Sequence, residues 1–285
     1  MKARVLTALG VMSLGLMASL TGAQSMMKMG DCELYPQKNK MMTSFTPAIA
    51  GQLTVEVNLP APLWYNGDTP DSIKSGAEYC LAANIANRAG LKKVVIKNVA
   101  WDGLVAGQTK NFDLALSQIS ITPARQKVVE FSTPYFYSDI GVMVSSKSAA
   151  TVDATTIKGL RVGVQQGTTG ETFARDQIKV SKLKVFPDTP GMFTALQAGQ
   201  IDVAMTDTSI VLSQAKQSAG KFKVIAQYKT GESYGALFPK SSKNNTMINT
   251  IIKDMMSEGT VTKIQKQYLF DVWGGDPTKI PYFKP

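Results

Sequence analysis

Three short stretches of the chain carry side chains that could hold a charged ligand, and each follows an apolar, strand-like run. In ISITPARQKVVEFSTPYF, residues 119–136, a proline breaks the apolar run and Arg125 follows it. A guanidinium beside hydroxyls and backbone amides could bind an anion, whereas most loop arginines are solvated surface charges. This stretch alone leaves both interpretations open.

Two further stretches could complete an ion-binding site. VGVQQGTTGETF, residues 162–173, predicts a strand followed by a helix near Thr169, and the free amides of a helix N-terminus attract anions. Its glycines lack the spacing of a phosphate-binding loop, so phosphate is the weaker interpretation. In GQIDVAMTD, residues 199–207, a buried strand ends in Asp207, which could hold an ammonium group or cap the next helix.

Taken together, these groups match the two charges of a zwitterion. Arg125 and the amides at Thr168 and Thr169 could hold one carboxylate from both sides, and Asp207 could hold one ammonium. An arginine–carboxylate pair can be bidentate, which fixes orientation as well as charge. Because an α-amino acid carries both groups on one carbon, the pattern predicts a site for a free amino acid.

The missing residue types exclude several other chemistries. The sequence contains no histidine, which excludes Ser-His-Asp and Cys-His nucleophiles and most catalytic zinc sites. The only cysteines are Cys32 and Cys80, too few for a thiolate metal cluster. In an oxidising compartment we expect one disulfide between them, the alternative being two unpaired thiols. We expect neither a metal nor a cofactor.

The N-terminal segment indicates the compartment. Lys2 and Arg4 precede an apolar run that ends in small residues, which is typical of a cleaved signal peptide over residues 1–23. No cysteine stands where a lipid anchor would need one, so we expect a periplasmic protein without an anchor. The chain has a formal net charge of +10, but its lysines are scattered, so we expect no nucleic-acid partner.

Strands and helices alternate along the chain from residue 53, which predicts parallel sheets covered by helices and an α/β fold class. Two such series, joined by two β-rich crossings, indicate two lobes. We assign residues 24–51 to an N-terminal extension, 52–140 plus 236–285 to the first lobe, and 141–235 to the second. Ligands in such sheets bind beyond the carboxyl ends of the strands, where the three stretches lie.

The stretches FDLALSQISITPARQKVVEFSTPYF, LRVGVQQGTTGETF and AGQIDVAMTD resemble the polar amino-acid-binding proteins of bacterial ABC importers, which form solute-binding protein family 3. The C-terminal MSEGTVTKIQKQYL resembles the closing helices of that family, and the likeness runs from about residue 51 to 269 in the same order. The resemblance implies a monomeric receptor of the two-lobed, type II periplasmic-binding-protein (Venus-flytrap) fold, which closes about a two-strand hinge and delivers its ligand to an ABC-importer permease.

The resemblance also implies roles for single residues. Arg125 would pair with the α-carboxylate, helped by Ser120 and Thr169, and Asp207 would take the α-ammonium. The backbone carbonyl of Gln118 would be a second acceptor for that ammonium. These assignments are expectations for the structure to test.

The side-chain pocket departs from the family pattern. After the first strand this chain has LPAPLWYNGD, so that either Trp64 or Tyr65 could stack on the ligand. Trp101 could line the pocket or belong to the core. No acidic residue besides Asp207 falls at a predicted pocket position, which slightly favours a ligand with a neutral or polar side chain.

Two other classes of function remain open at this point. Cyclohexadienyl and arogenate dehydratases resemble these receptors, and such an enzyme would need a carboxylic acid in the cleft, such as Glu171 or Glu56. Glu171 could instead be a first-turn residue favoured by the helix dipole. A sensor module feeding a membrane receptor is the less favoured alternative, since the sequence has no second long apolar run. We expect a binding protein rather than an enzyme.

Overall fold

The structure is a computed structural model of the 285-residue chain, and it describes residues 27–37, 45–274 and 276–285. The predicted signal peptide, residues 1–23, lies outside the described residues, as do residues 24–26 and 38–44 of the predicted extension. Across the described ranges, none of the helices combines the length and the apolar character needed to cross a bilayer.

Two five-stranded sheets and a small N-terminal hairpin form the framework, with helices packed on the sheets. The strands are β1 Lys28–Met29, β2 Cys32–Glu33, β3 Leu53–Val57, β4 Val94–Asn98, β5 Leu114–Ala115, β6 Glu130–Phe131, β7 Phe136–Ser145, β8 Arg161–Gln165, β9 Lys182–Phe186, β10 Val203–Asp207, β11 Phe222–Tyr234 and β12 Leu237–Phe238. The α-helices are α1 Ala77–Arg88, α2 Trp101–Val105, α3 Pro123–Gln126, α4 Thr169–Phe173, α5 Thr189–Gln197, α6 Thr208–Gln217, α7 Asn245–Ser257, α8 Thr260–Gln265 and α9 Asp271–Trp273. Single π-turns, Ala174–Ile178 and Lys266–Phe270, continue α4 and α8.

The first sheet has the strand order β4-β3-β5-β12-β6, with β3 parallel to β4 and β5. Every residue of β3 is buried, as expected of a central parallel strand covered on both faces. The Ala-rich helix α1 contacts β3 and β4, and it also contacts α7 and α8. An ion pair of 2.7 Å between the Arg88 Nη2 and Glu258 Oε2 atoms ties α1 to the end of α7. Helices α7 and α8 therefore pack on the helix that covers the first sheet, whereas α9 contacts α6 beside the second sheet.

The second sheet has the order β11-β7-β10-β8-β9, in which β8, β9 and β10 run parallel and β7 runs antiparallel to β10 and β11. Its core contains fully buried residues of β7, β8 and β10, among them Val142, Val162 and Val203. α5 and α6 both contact this sheet. Because β8 and β10 are parallel, their carboxyl ends meet at one edge, which places Gln165 near Asp207.

Two long strands connect the lobes. β7 and β11 pair from Ser145 and Phe222 at one end to Phe136 and Tyr234 at the other. At that second end the Tyr135 N–H donates to the Tyr234 carbonyl at 2.9 Å, beside the strands of the first sheet. This confirms the α/β class, with two mixed sheets joined by a pair of strands. The boundaries at residues 140/141 and 235/236 remain a prediction.

The C-terminal tail, within the span 236–285 that was predicted for the first lobe, is hydrogen-bonded to β11 of the second sheet. The Gln227 N–H of β11 donates to the Pro281 carbonyl and the Phe283 N–H donates to the Gln227 carbonyl, each at 2.9 Å. The Phe283 ring packs on Tyr228, with the two ring centroids 5.9 Å apart. The backbone hydrogen bonds and the aromatic contact together attach the tail to the second sheet.

The predicted disulfide is confirmed, since Cys32 and Cys80 are bonded to each other. The bond attaches the hairpin β1–β2 to helix α1. Asn84 of the same helix adds hydrogen bonds, accepting from the Tyr35 N–H at 2.9 Å and donating to the Glu33 carbonyl at 3.0 Å. Closing a loop of this length stabilises a fold by about 4 kcal/mol in the chain-entropy picture.

Candidate ligand-binding site

A cavity of about 260 Å³ lies between the two lobes, at the carboxyl ends of the parallel strands. It is lined by every residue that the sequence analysis assigned to a ligand: Trp64, Trp101, Gln118, Ser120, Arg125, Thr168, Thr169 and Asp207. These residues come from both halves of the chain, so the fold brings together side chains that are far apart in sequence.

Arg125 is held in place from both lobes. Thr122 starts the short helix α3, and its hydroxyl accepts the Arg125 N–H at 3.2 Å. The guanidinium donates from Nη1 to the Ser120 carbonyl at 2.8 Å and from Nη2 to the Gly167 carbonyl at 3.2 Å. It lies over the Trp101 ring, 5.1 Å from the centroid. Arg125 is only 8% exposed, which rules out the solvated loop arginine.

The segment before α4 approaches Arg125 from the second lobe. Gly167 adopts φ +69°, a left-handed conformation that favours glycine, and its N–H donates to Glu171 Oε2 at 2.7 Å. The Thr168 hydroxyl accepts the Glu171 N–H at 3.2 Å and donates to the Gln165 carbonyl at 2.6 Å. Thr168 is therefore an N-cap, and Glu171 is the first-turn residue that the sequence favours rather than a cavity acid.

Asp207 stands at the N-cap position of α6 but makes no side-chain cap. Its Oδ2 accepts the Tyr234 hydroxyl at 2.5 Å, and that hydroxyl also lies 2.8 Å from the Ser209 hydroxyl. The carboxyl is 5% exposed. Burial raises its pKa to about 7, helped by the Glu232 charge and opposed by the Tyr234 hydrogen bond and by Arg125. The geometry thus rejects the simple capping role.

The turn at Gln118 is fixed by a buried carboxylate that the sequence analysis missed. Gln118 has φ +50°, and its backbone N–H donates to Glu78 Oε1 at 2.9 Å. The Gln118 side-chain amide and the Tyr135 hydroxyl also donate to Glu78. Burial raises the pKa of Glu78 to about 7, although these three hydrogen bonds lower it. An acidic residue in the buried face of Ala-rich α1 was the available signal.

Of the two neighbouring aromatic residues, Trp64 lies in the cavity wall and Tyr65 lies in the protein core. Trp64 lines the cavity and is 1% exposed, with its ring edge-on to Phe136 and Tyr234 at centroid distances of 5.1 and 5.8 Å. Tyr65 does not line the cavity, because its hydroxyl is directed to the Leu116 carbonyl at 2.8 Å. Of the two residues left open by the sequence, Trp64 is therefore the one that faces the cavity.

The lining of the cavity contains few charged side chains. Among its lining residues only Arg125 and Asp207 carry a charged side chain. The remaining walls are polar and uncharged or apolar, contributed mostly by α5, α6 and the loop after β3: Asn58, Pro60, Ala61, Pro62, Ser117, Gln165, Thr189, Pro190, Phe193, Thr194, Gln197, Thr206, Ile210, Ser213, Gln214 and Phe222. Within the described ranges, no three His, Cys, Asp or Glu residues are grouped so as to hold a metal ion.

Comparison with known proteins gives the family. Residues 53–271 match the family described as bacterial extracellular solute-binding proteins, family 3. The chain belongs to this family. It is 27% identical over 221 residues to the L-cystine-binding protein TcyJ of Escherichia coli strain K12, covering 76% of this chain and 80% of that protein. It is 28% identical over 214 residues to the histidine-binding periplasmic protein of Salmonella typhimurium, covering 70% and 81%.

Solved structures of other solute-binding proteins support the fold. An ancestral arginine-binding protein bound to arginine superposes with a TM-score of 0.68 at 30% identity, covering 76% of this chain and 98% of that one. The ancestral amino acid-binding protein AncCDT-1, a precursor of cyclohexadienyl dehydratase, gives 0.67 at 27% identity, covering 77% and 95%. The two-lobed, type II fold of the family is therefore confirmed for this solute-binding protein.

Proposed function

We propose that this solute-binding protein is a periplasmic receptor that closes its two lobes on a free α-amino acid and delivers it to the permease of an ABC importer. The observation that carries the proposal is the pair of opposite charges in the cavity, Arg125 and Asp207, both more than nine-tenths buried. Buried charges need partners. A zwitterion supplies a partner for each.

Each end of the zwitterion has a defined place in the proposal. The carboxylate binds the Arg125 guanidinium, together with backbone N–H groups at the start of α4 near Thr169. The ammonium binds the Asp207 carboxylate and the Gln118 carbonyl. Trp101, which stacks below the guanidinium, and Trp64 form the walls beside the α-carbon. The ligand therefore completes two charge pairs across the interface of the lobes.

The ligand's side chain is neutral in this proposal. Arg125 and Asp207 are matched by the α-carboxylate and α-ammonium, so a further cationic or anionic group would be buried without a partner. The wall formed by α5 and α6 offers hydroxyl and amide groups, among them Thr194, Gln197 and Gln214. These groups suit a side chain that forms hydrogen bonds without carrying net charge.

The relatives support a proposal for the location and the partner. The matched Salmonella protein is described as periplasmic, and the chain begins with a sequence typical of a signal peptide. We infer that the mature protein is a periplasmic monomer, and that an ABC-importer permease receives its ligand.

A dehydratase-like enzyme is the second candidate, favoured by the likeness to AncCDT-1 and by the raised pKa of Asp207, which a proton donor would need. The two acids considered from the sequence do not serve it. Glu56 is fully buried beside Lys97, at 2.8 Å, and Glu171 binds the Gly167 N–H. Neither lines the cavity. A receptor accounts for both buried charges, so we favour binding.

A thermal-shift screen of the free L-amino acids separates the two functions. The expected result is a raised melting temperature with a small set of neutral, polar amino acids and little shift with arginine, lysine or glutamate. The bound amino acid, recovered after several hours, should be chemically unchanged. Stabilisation by none of them would contradict the receptor, and conversion of the ligand would favour the enzyme.

A further inference from the structure

Glu232 connects the two lobes beside the ligand cavity, although the sequence analysis did not single it out. Its Oε2 atom accepts the Ser120 hydroxyl at 2.6 Å and the Thr169 hydroxyl at 2.7 Å. Ser120 lies in the first-lobe loop after β5, and Thr169 begins α4 of the second lobe. Glu232 itself lines a second, open groove beside the ligand cavity and does not line the cavity itself. One oxygen atom thus joins both lobes.

The backbone of β11 is shaped so that Glu232 can reach these hydroxyls. The pairing of β11 with β7 is irregular between residues 228 and 232. The extra residues are held by Asp139, whose Oδ1 accepts the N–H groups of Thr230 at 2.8 Å and Gly231 at 3.0 Å. Gly231 adopts φ +67°, which favours glycine. The irregularity therefore gives Glu232 a fixed position in a strand that crosses between the lobes.

The two hydrogen bonds also decide what Ser120 and Thr169 can offer a ligand. A hydroxyl has one proton to donate, and an ionised carboxylate only accepts. When both hydroxyls donate to Glu232, they present only lone pairs to any other group. They cannot then donate to a ligand carboxylate, which is the role that the family resemblance implies for their side chains. Arg125 and backbone N–H groups remain as the donors for that carboxylate.

We propose that Glu232 is a positioning residue that stabilises the closed arrangement of the lobes by drawing the Ser120 and Thr169 hydroxyls to one carboxylate oxygen. Opening the cleft separates the two hydroxyls and breaks at least one of these charge-assisted hydrogen bonds. Glu232 therefore slows ligand release without touching the ligand. The inference rests on the proposed receptor function for its ligand measurements.

The first test compares Glu232→Ala with the exposed second-lobe control Asp176→Asn, which also removes one carboxylate. Stopped-flow fluorescence with an amino acid found in the screen is expected to show dissociation at least about tenfold faster for Glu232→Ala. The association rate should change much less, and the control should match the parent. Glu232→Gln keeps the size of the side chain and one acceptor oxygen. Its dissociation rate is expected to lie between those of the parent and Glu232→Ala.

A double-variant cycle with Ser120→Ala identifies what the hydroxyl binds. If Ser120 serves Glu232, its substitution weakens binding in the parent but has little further effect in the Glu232→Ala background. An equal loss in both backgrounds would show that the hydroxyl donates to the ligand, and would overturn the proposal.

Small-angle scattering of the ligand-free protein gives a measurement that needs no amino acid. The radius of gyration is expected to be larger for Glu232→Ala than for Asp176→Asn. An unchanged radius together with an unchanged dissociation rate would overturn the role of Glu232, while loss of binding in an Arg125 variant would still support the amino-acid site. If no amino acid binds the parent, the receptor function fails and the scattering result alone decides the role of Glu232.

Discussion

At the scale of single residues, the site depends on two buried charges that the protein satisfies only in part. The Arg125 guanidinium donates to two backbone carbonyls, but no carboxylate of the described residues lies within ion-pair distance of it. Burial lowers its pKa, while the charges of Asp207 and Glu232 oppose that change. Asp207 has a hydroxyl partner in Tyr234. In the proposed receptor, each group would therefore meet a ligand charge of opposite sign.

Arg125→Met should abolish most of the affinity. Methionine keeps much of the stem but leaves the ligand carboxylate without its charged partner in a poorly hydrated cleft. Truncating one member of a buried charge pair costs roughly 2–5 kcal/mol, so the dissociation constant should rise at least about thirtyfold in titration calorimetry. Arg161→Met, which removes an equal charge from the Asp202 ion pair outside the cavity, is the control and should bind within twofold of the parent.

The affinity should also depend on pH through Asp207. Its pKa is raised to about 7, and only the ionised form attracts an ammonium group. Binding should therefore approach its full strength about one unit above pH 7 and weaken as the pH falls through 7, by up to about tenfold per pH unit. Asp207→Asn should weaken binding by at least about thirtyfold at pH 8 and remove the dependence. Calorimetry between pH 5.5 and 8.5 measures both, and a flat profile for the parent would contradict this role.

At the scale of elements, short turns aim the site residues, and they were harder to foresee than the framework. The sequence predicted β8, the start of α4 near Thr169 and the end of β10 at Asp207 close to their observed bounds. The four-residue helix α3 was not predicted, because a single turn after a proline carries no periodicity. The long strand β11 was also missed, although the alternation of Phe222, Val224, Ala226 and Tyr228 in sequence was a usable signal.

The candidate site shows the same difference. Residues marked by the charge pattern could be foreseen, whereas residues whose position depends on backbone geometry could not. The placement of Arg125 and Asp207 at the cavity could be predicted, because charged residues after apolar strands lie at the open edge of a parallel sheet. Glu78 and Glu232 could not, since their roles depend on the left-handed turn at Gln118 and on the irregular pairing in β11. Sequence spacing does not encode either contact.

Glu78 of α1, which accepts hydrogen bonds from the turn at Gln118, leads to a prediction about the pH dependence of stability. The folded-state pKa of Glu78 is about 7, above the ordinary value of a glutamic acid. The native state therefore binds more protons than the unfolded state between about pH 4.5 and 7, so this group's contribution to stability is lost as pH rises through that window. In Glu78→Gln the unfolding midpoint should vary less with pH over this range, as measured by circular dichroism. An unchanged slope would contradict the assignment.

The disulfide makes a second prediction at this scale. Reduction of the Cys32–Cys80 bond should lower the melting temperature, because the bond stabilises the fold by about 4 kcal/mol in the chain-entropy picture. The oxidised native protein should contain no titratable thiol. Since neither cysteine lines the ligand cavity, the affinity measured below the melting temperature should stay within about twofold after reduction. Free thiols in the oxidised protein would be decisive against the bond.

At the scale of the whole molecule, the lobes touch along the cleft, and among the described residues β7 and β11 run between them. Gln166 of the second lobe donates to Asp102 of the first at 3.2 Å, and Arg125 reaches the Gly167 carbonyl. Besides β7 and β11, the chain passes from the C-terminal helices to the second sheet, where Gln227 binds the tail. A cavity between bodies connected in this way can enclose a small ligand and release it when the lobes separate.

The most direct test of the account changes the ligand rather than the protein. Titration calorimetry should compare the amino acid that binds best with its α-carboxamide and with the analogue that lacks the α-amino group. Each analogue removes the charge expected to face Arg125 or Asp207, so each should bind at least about thirtyfold more weakly. If both analogues bind within twofold of the amino acid, the cavity does not recognise the two charged groups of the zwitterion. That result would contradict the proposal that Arg125 and Asp207 bind them.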